Sequence, residues 1–131
     1  MSNWKLKSEK NISSAELLIA NSYFASSVHC SYYGNIQLML HVLNTYLGKT
    51  EKQIDKESYE AKDSSHNWLK GQIVRNLRKK DVREFNNTLG NVKKLRVIAD
   101  YKNIKIINEN ASEALGYSKK INEILKKNFE L

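Results

Sequence analysis

The stretch Asn91 to Tyr101, NVKKLRVIADY, sets an arginine, an aspartate and a tyrosine among apolar residues at helical spacing. Arg96 and Asp100 are four residues apart, so a helix places them on one face within reach of each other, with Tyr101 following where the helix gives way to a loop. A guanidinium offers a planar fork of donors suited to phosphate or carboxylate, an adjacent carboxylate can fix its rotamer, and a phenol adds a hydroxyl or a stacking surface. Two readings follow from these residues alone. One is a local ion pair closing a core helix on Val92, Leu95, Ile98 and Ala99; the other is a polar site at a buried seam.

Other chemistry is sparse. The three histidines, His29, His41 and His66, have no second histidine, cysteine or carboxylate at the four-residue spacing that presents two ligands to a metal, so no metal site is expected. Cys30 adjoins His29 and points elsewhere on a helix, which argues against a Cys-His nucleophile. The five glycines are scattered at 34, 48, 71, 90 and 116, and none forms a phosphate-cradling loop. No cofactor is expected.

Charge is more informative. The formal net charge is +8, and the segment Lys70 to Lys105 carries eleven basic residues against three acidic ones, a difference of +8, while the rest of the chain is balanced. Such a concentration suits a phosphate-bearing partner, RNA or a nucleotide, or an acidic protein surface. It also suits a solvated helix face that maintains solubility. Lys93, Lys94, Arg75 and Arg78 are the candidate phosphate-binding partners of Arg96.

The elements that must position these residues are helices. The 131 residues contain no proline, five glycines and 40% hydrophobic residues, which predicts one all-α domain over 1–131. The single cysteine, the lack of a signal-like N-terminus and the absence of a long apolar run predict a soluble cytoplasmic protein without a membrane span. A first amphipathic helix is predicted from Lys5 to Asn21. Ser22 is the candidate N-cap of a second, central helix to Tyr46, stopped by Gly48. Its stripe is Phe24, Val28, Tyr32, Ile36, Met39 and Leu43, and its small residues Ala25, Ser31 and Gly34 admit a close neighbour, either another helix or a second subunit.

Lys49 to Ser65 reads as a long, mobile surface loop with at most one helical turn. A third helix is expected from a cap at Ser64 or Ser65 through Trp68, Leu69, Ile73 and Leu77, breaking near Lys80. Asp81 and Glu84 have capping-box spacing and open a fourth helix running to Asp100. A linker from Tyr101 to Ile107 leads to a last helix capped by Asn108, with Ala111, Ala114, Leu115, Ser118, Ile121 and Leu125 as its apolar stripe.

This layout resembles a known family. An N-terminal helix, then SSVHCSYYGNIQLML, then a polar segment ending in Ser65-His66, then LRVIADY before a linker and a final amphipathic helix, is similar to the HEPN domains of prokaryotes. The subgroup it most resembles is the small stand-alone HEPN proteins with an R-x-x-A-D-Y signature, matched by Arg96, Ala99, Asp100 and Tyr101. The resemblance implies an antiparallel four-helix bundle with an additional short helix, commonly homodimeric. It also implies association with minimal nucleotidyltransferases in toxin-antitoxin pairs, or with RNA-targeting defence.

Nuclease members of that family carry an arginine followed by four to six residues and a histidine, and this chain departs from the pattern: Tyr101 stands where Arg96 would need its imidazole. The loss removes the natural proton-transfer group. The expectation is therefore a non-catalytic or weakly catalytic protein that binds RNA, a nucleotide or a partner protein through a basic groove at Arg96, with Asp100 and Tyr101 beside it. Its rivals are a metal-independent RNase toxin using Arg96 and Tyr101 with help from His66, and a protein-protein interaction module with no nucleic-acid role.

Overall fold

The computed structural model describes residues 2–131, and among them it is all-helical, with six α-helices and no strand. α1 spans Asn3–Ala20, α2 Phe24–His41, α3 Glu51–Glu60, α4 Ser65–Val74, α5 Lys79–Tyr101 and α6 Asn108–Phe129. α2 continues into a π-helical turn, Val42–Tyr46. No helix among the described residues is long and apolar enough to cross a membrane.

α2 is the centre of the molecule and packs against α1, α4, α5 and α6. Its expected stripe is the core: Val28, Tyr32, Ile36, Met39 and Leu43 are buried together with Phe85 and Val92 of α5 and Ile121 and Leu125 of α6. Each such side chain contributes about 1.5–3 kcal/mol by leaving water. The small residues of α2 are used from within the chain. A Cβ at Gly34 would lie 2.8 Å from Ile12 Cδ1 of α1, and Ser8 Oγ donates to the Gly34 carbonyl at 2.6 Å. Ser27 Oγ reaches Ala15 O at 2.8 Å, and from the other side Ser118 Oγ of α6 donates to Ser31 O at 2.7 Å. The neighbour at Gly34 is thus α1, while Ala25 stays exposed.

Four expected boundaries differ. Ser22 does not cap α2; it takes a left-handed φ of 63° and closes α1. Its N–H bonds Ile19 O at 3.0 Å and that of Tyr23 bonds Leu18 O at 2.8 Å, the paired bonds of a Schellman stop in which serine occupies the usual glycine position. The segment expected as a mobile loop, Lys49 to Ser65, contains α3. Thr50 Oγ1 accepts from the Gln53 N–H, and Gln53 returns a bond to the Thr50 N–H, forming a full capping box. α3 buries only Ile54 and is tied by Lys49 Nζ to Glu57 at 2.7 Å, so its apolar signal was too thin to read.

The break before α5 comes at Arg75 to Arg78 rather than Lys80, and Asp81 is not the cap. Asp81 lies in the first turn of α5, accepts from Asn128 Nδ2 of α6 at 2.9 Å and faces Arg78 Nε at 3.3 Å. The Asn128 hydrogen bond, helped by Arg78, Lys127 and Lys80 against a desolvation cost, holds the carboxyl below its ordinary range. At α6 the cap is Ile107 rather than Asn108; its N–H donates to Asn110 Oδ1 at 3.1 Å. Ser64 does cap α4, accepting from the Asn67 N–H.

Candidate functional site

The site forms where the late turns of α5 cross the early turns of α2, with the start of α4 above them. Arg96 is 8% exposed and points from α5 into aromatic rings. Its Cζ lies 5.0 Å from the Tyr32 ring centroid, 5.3 Å from that of Tyr33 and 5.6 Å from that of Tyr101. Arg96 Nη2 donates to the Tyr33 hydroxyl at 2.9 Å. The three quadrupoles and this bond fix the guanidinium without a strong carboxylate partner. Asp100 Oδ2 comes only within 3.7 Å of Arg96 Nε, and that enclosed N–H has no hydrogen-bond partner among the described residues.

Asp100 has a closer partner that the sequence did not suggest: His29 Nδ1 of α2 lies 2.9 Å from its Oδ2. An imidazole donating Nδ1–H to a carboxylate leaves Nε2 as a proton acceptor, and the His29 side chain is half-exposed. A second imidazole is present. His66, on the first turn of α4, has Nδ1 2.9 Å from the Tyr32 hydroxyl. The His29 and His66 rings both pack on Tyr33, with centroids 4.6 Å and 5.7 Å away.

Burial, and after it Arg96 and Lys93, pushes the His66 pKa down, so the ring is neutral at pH 7. Burial pushes the Tyr32 phenol up to about 12, against the opposing pull of Arg96, so it keeps its proton. With the phenol as donor to Nδ1, His66 carries its own proton on Nε2.

Of the expected site residues, Arg96, Asp100, Tyr101 and His66 come together. Lys93 joins them, its Nζ bonded to Asn67 Oδ1 at 3.2 Å beside His66. Lys94 is exposed on the outer side of α5. Arg75 and Arg78 do not join: Arg78 begins α5 eighteen residues before Arg96, roughly 27 Å away along the helix at 1.5 Å per residue, and is engaged by Asp81 and Asn128. The sequence reading missed His29, Tyr32 and Tyr33. Their spacing, i, i+3 and i+4 on α2, puts them on one helix face and was the signal available.

The arrangement presents a fixed, partly satisfied guanidinium, a lysine one turn away and two imidazoles, which together can bind a phosphate and transfer protons beside it. A cavity of about 550 Å³ lies at the other end of α2 among Leu6, His41, Thr45, Tyr46 and Phe129, and its charges are of mixed sign, Lys5 with Glu9 and Glu130, which suits an anion less well. Compared with protein-family models, curated proteins and solved structures, the chain gives no match.

Proposed function

We propose that the chain is a HEPN-like domain, an antiparallel four-helix bundle of α1, α2, α5 and α6 with α3 and α4 appended, that binds the phosphate of RNA or of a nucleotide at Arg96. The observation that carries this reading is the state of Arg96. A nearly buried guanidinium whose one hydrogen bond among the described residues goes to the Tyr33 hydroxyl, with Asp100 given over to His29, keeps donors for an anion. Lys93 adds positive charge beside it. The homodimer, the cytoplasmic location and a nucleotidyltransferase-type antitoxin as partner rest on the R-x-x-A-D-Y resemblance.

The test is fluorescence anisotropy with a labelled RNA at about 50 and 200 mM salt, a range over which phosphate contacts lose affinity as counterions compete. Hydrogen bonds to a charged group contribute about 1.5–3 kcal/mol, so Arg96→Gln should weaken binding at least tenfold with the helical circular dichroism retained. Wild-type affinity that is insensitive to both Arg96→Gln and salt refutes the reading.

One observation favours a second reading, a metal-independent RNase. His29, held by Asp100 with Nε2 free, supplies the proton acceptor that Tyr101 cannot, worth about 10²–10⁴-fold when positioned, and the neutral His66 held by Tyr32 adds an N–H donor beside it. Under the first reading RNA incubated with a chelator stays intact. Chelator-resistant cleavage that is lost in His29→Ala, His66→Ala or Arg96→Ala establishes the second.

A further inference from the structure

α5 doubles back past α4 after the turn at Arg75 to Arg78, but α4 packs on α2 and α3 rather than closely on α5. Between α4 and α5 lies a cleft of about 460 Å³, lined by Asn67, Lys70, Gly71, Val74 and Asn86. Lys93 spans its upper end by its bond to Asn67, beside His66 and the Arg96 site. Its lower end lies at Val74, the last residue of α4, and Asn86 of α5.

Three features of the cleft have no role inside the chain. Gly71 sits in the middle of α4, where glycine costs about 1 kcal/mol against alanine, yet a Cβ there would meet nothing within 4 Å. No internal packing requires the glycine; it leaves the floor of the cleft open. Asn86 Oδ1 is enclosed without a hydrogen-bond partner, so turning that amide to a base edge breaks no bond of its oxygen. Lys70 lines the cleft on its α4 side, with no acidic side chain among the lining residues.

We infer that this cleft is a track for single-stranded RNA, leading from the Arg96 site toward Val74, with phosphates on Lys93 and Lys70 and a base against Val74 and Asn86. The inference rests on Arg96 as a phosphate site and adds that the ligand is a strand rather than a mononucleotide. From His66 to Val74 α4 rises about 12 Å at 1.5 Å per residue. That is about four nucleotides at the 3.4 Å spacing of a stacked strand, the lower end of known single-strand site sizes.

The experiment is a length series: uridine monophosphate, then two-, four- and eight-nucleotide oligouridylates, titrated on wild type, Gly71→Leu and Lys70→Gln. Affinity should rise at least tenfold from the mononucleotide to the tetramer and then level off. Gly71→Leu, which fills the floor and improves helix propensity, should remove that gain and leave mononucleotide binding unchanged. Lys70→Gln should lower the salt dependence for the tetramer by about 0.7 in log-log slope, one phosphate's worth for a single strand, and leave that for the mononucleotide as it was.

A mononucleotide binding as tightly as the tetramer, a tetramer indifferent to Gly71→Leu, or equal affinity for a duplex overturns the track while the Arg96 site stands. If no probe of any length binds wild type, both readings fall together.

Discussion

Asp100 is the acidic side chain nearest to Arg96, and replacing it by asparagine separates two roles that the site could give it. If Asp100 chiefly fixes the arginine, its loss weakens phosphate binding; if it chiefly opposes an incoming anion, its loss strengthens binding. The geometry favours the second. Arg96 is already held by the Tyr33 hydroxyl at 2.9 Å and by three rings, whereas Asp100 is 3.7 Å away and directed to His29. A phosphate on the guanidinium would sit about 6 Å from the Asp100 carboxylate, where two unit charges repel by about 0.7 kcal/mol at a dielectric of 80 and about 2.8 kcal/mol at 20.

Asp100 is an exposed residue at the end of α5, so water screens the pair and the lower half of that range applies, about 1 kcal/mol. Asp100→Asn should therefore tighten RNA binding by about fivefold at low salt, with the gain shrinking as salt rises. Asparagine retains an acceptor for His29 Nδ1–H, so the fold is preserved. The assay is the same anisotropy titration, run beside Arg96→Gln. Weaker binding of Asp100→Asn, by a factor approaching that of Arg96→Gln, would refute this electrostatic reasoning and assign Asp100 to positioning.

Other outcomes follow from the packing and the titrating groups. Gly34→Leu should lose about 1–3 kcal/mol or more in urea melts, because its side chain enters the space of Ile12, and Ile12→Ala should restore part of the loss in the double variant. Gly116→Ala should gain about 0.5–1 kcal/mol in the same melts, since nothing within 4 Å among the described residues opposes a Cβ there; no gain would contradict that. His41 and His66 are both held below their ordinary 6.5, His41 first by burial and then by Lys5 against Glu9. Their neutral forms stabilise the fold fully above about pH 6.5, and that stability is lost as pH falls through the lower folded pKa values. Urea midpoints should thus drop between pH 7.5 and 5, less steeply in His41→Gln, and a flat profile would contradict the burial argument. Light scattering should show twice the 15.2 kDa chain mass if the proposed homodimer forms, and a lone 15.2 kDa species removes it.

The helices were legible where a local period carried them. Val28, Tyr32, Ile36 and Met39 repeat every three or four residues, and burial followed that period. α3 was written in the sequence by a different sign, Thr50-x-x-Gln53, which a reading weighted toward apolar stripes passes over because Ile54 alone is buried there. Ser22 shows the opposite failure. A serine before an apolar run fits an N-cap, but the choice between closing one helix and opening the next depends on φ, which residue type leaves open for serine.

The site divides along the same line. Arg96, Asp100 and Tyr101 are neighbours in sequence and were found together, but the bond between His29 and Asp100 joins residues 71 apart. No local pattern encodes it, although His29, Tyr32 and Tyr33 already declared a shared polar and aromatic face on α2. The basic segment went wrong in an instructive way. Counting charge from Lys70 to Lys105 treats the segment as one patch, whereas a rise of 1.5 Å per residue already separates Arg78 from Arg96 by roughly 27 Å once both lie on one helix.

The turn at Arg75 to Arg78 then folds the segment on itself, opposing Asn67 to Lys93 and Gly71 to Asn86. Of the charges that read as a stripe, Lys70 lines the cleft and Lys93 closes one end of it. Whether a charged run is a solvated face or a binding surface is decided by what lies between the charges. In the proposed track that is a glycine whose added Cβ would meet nothing within 4 Å and an amide oxygen with no partner among the described residues.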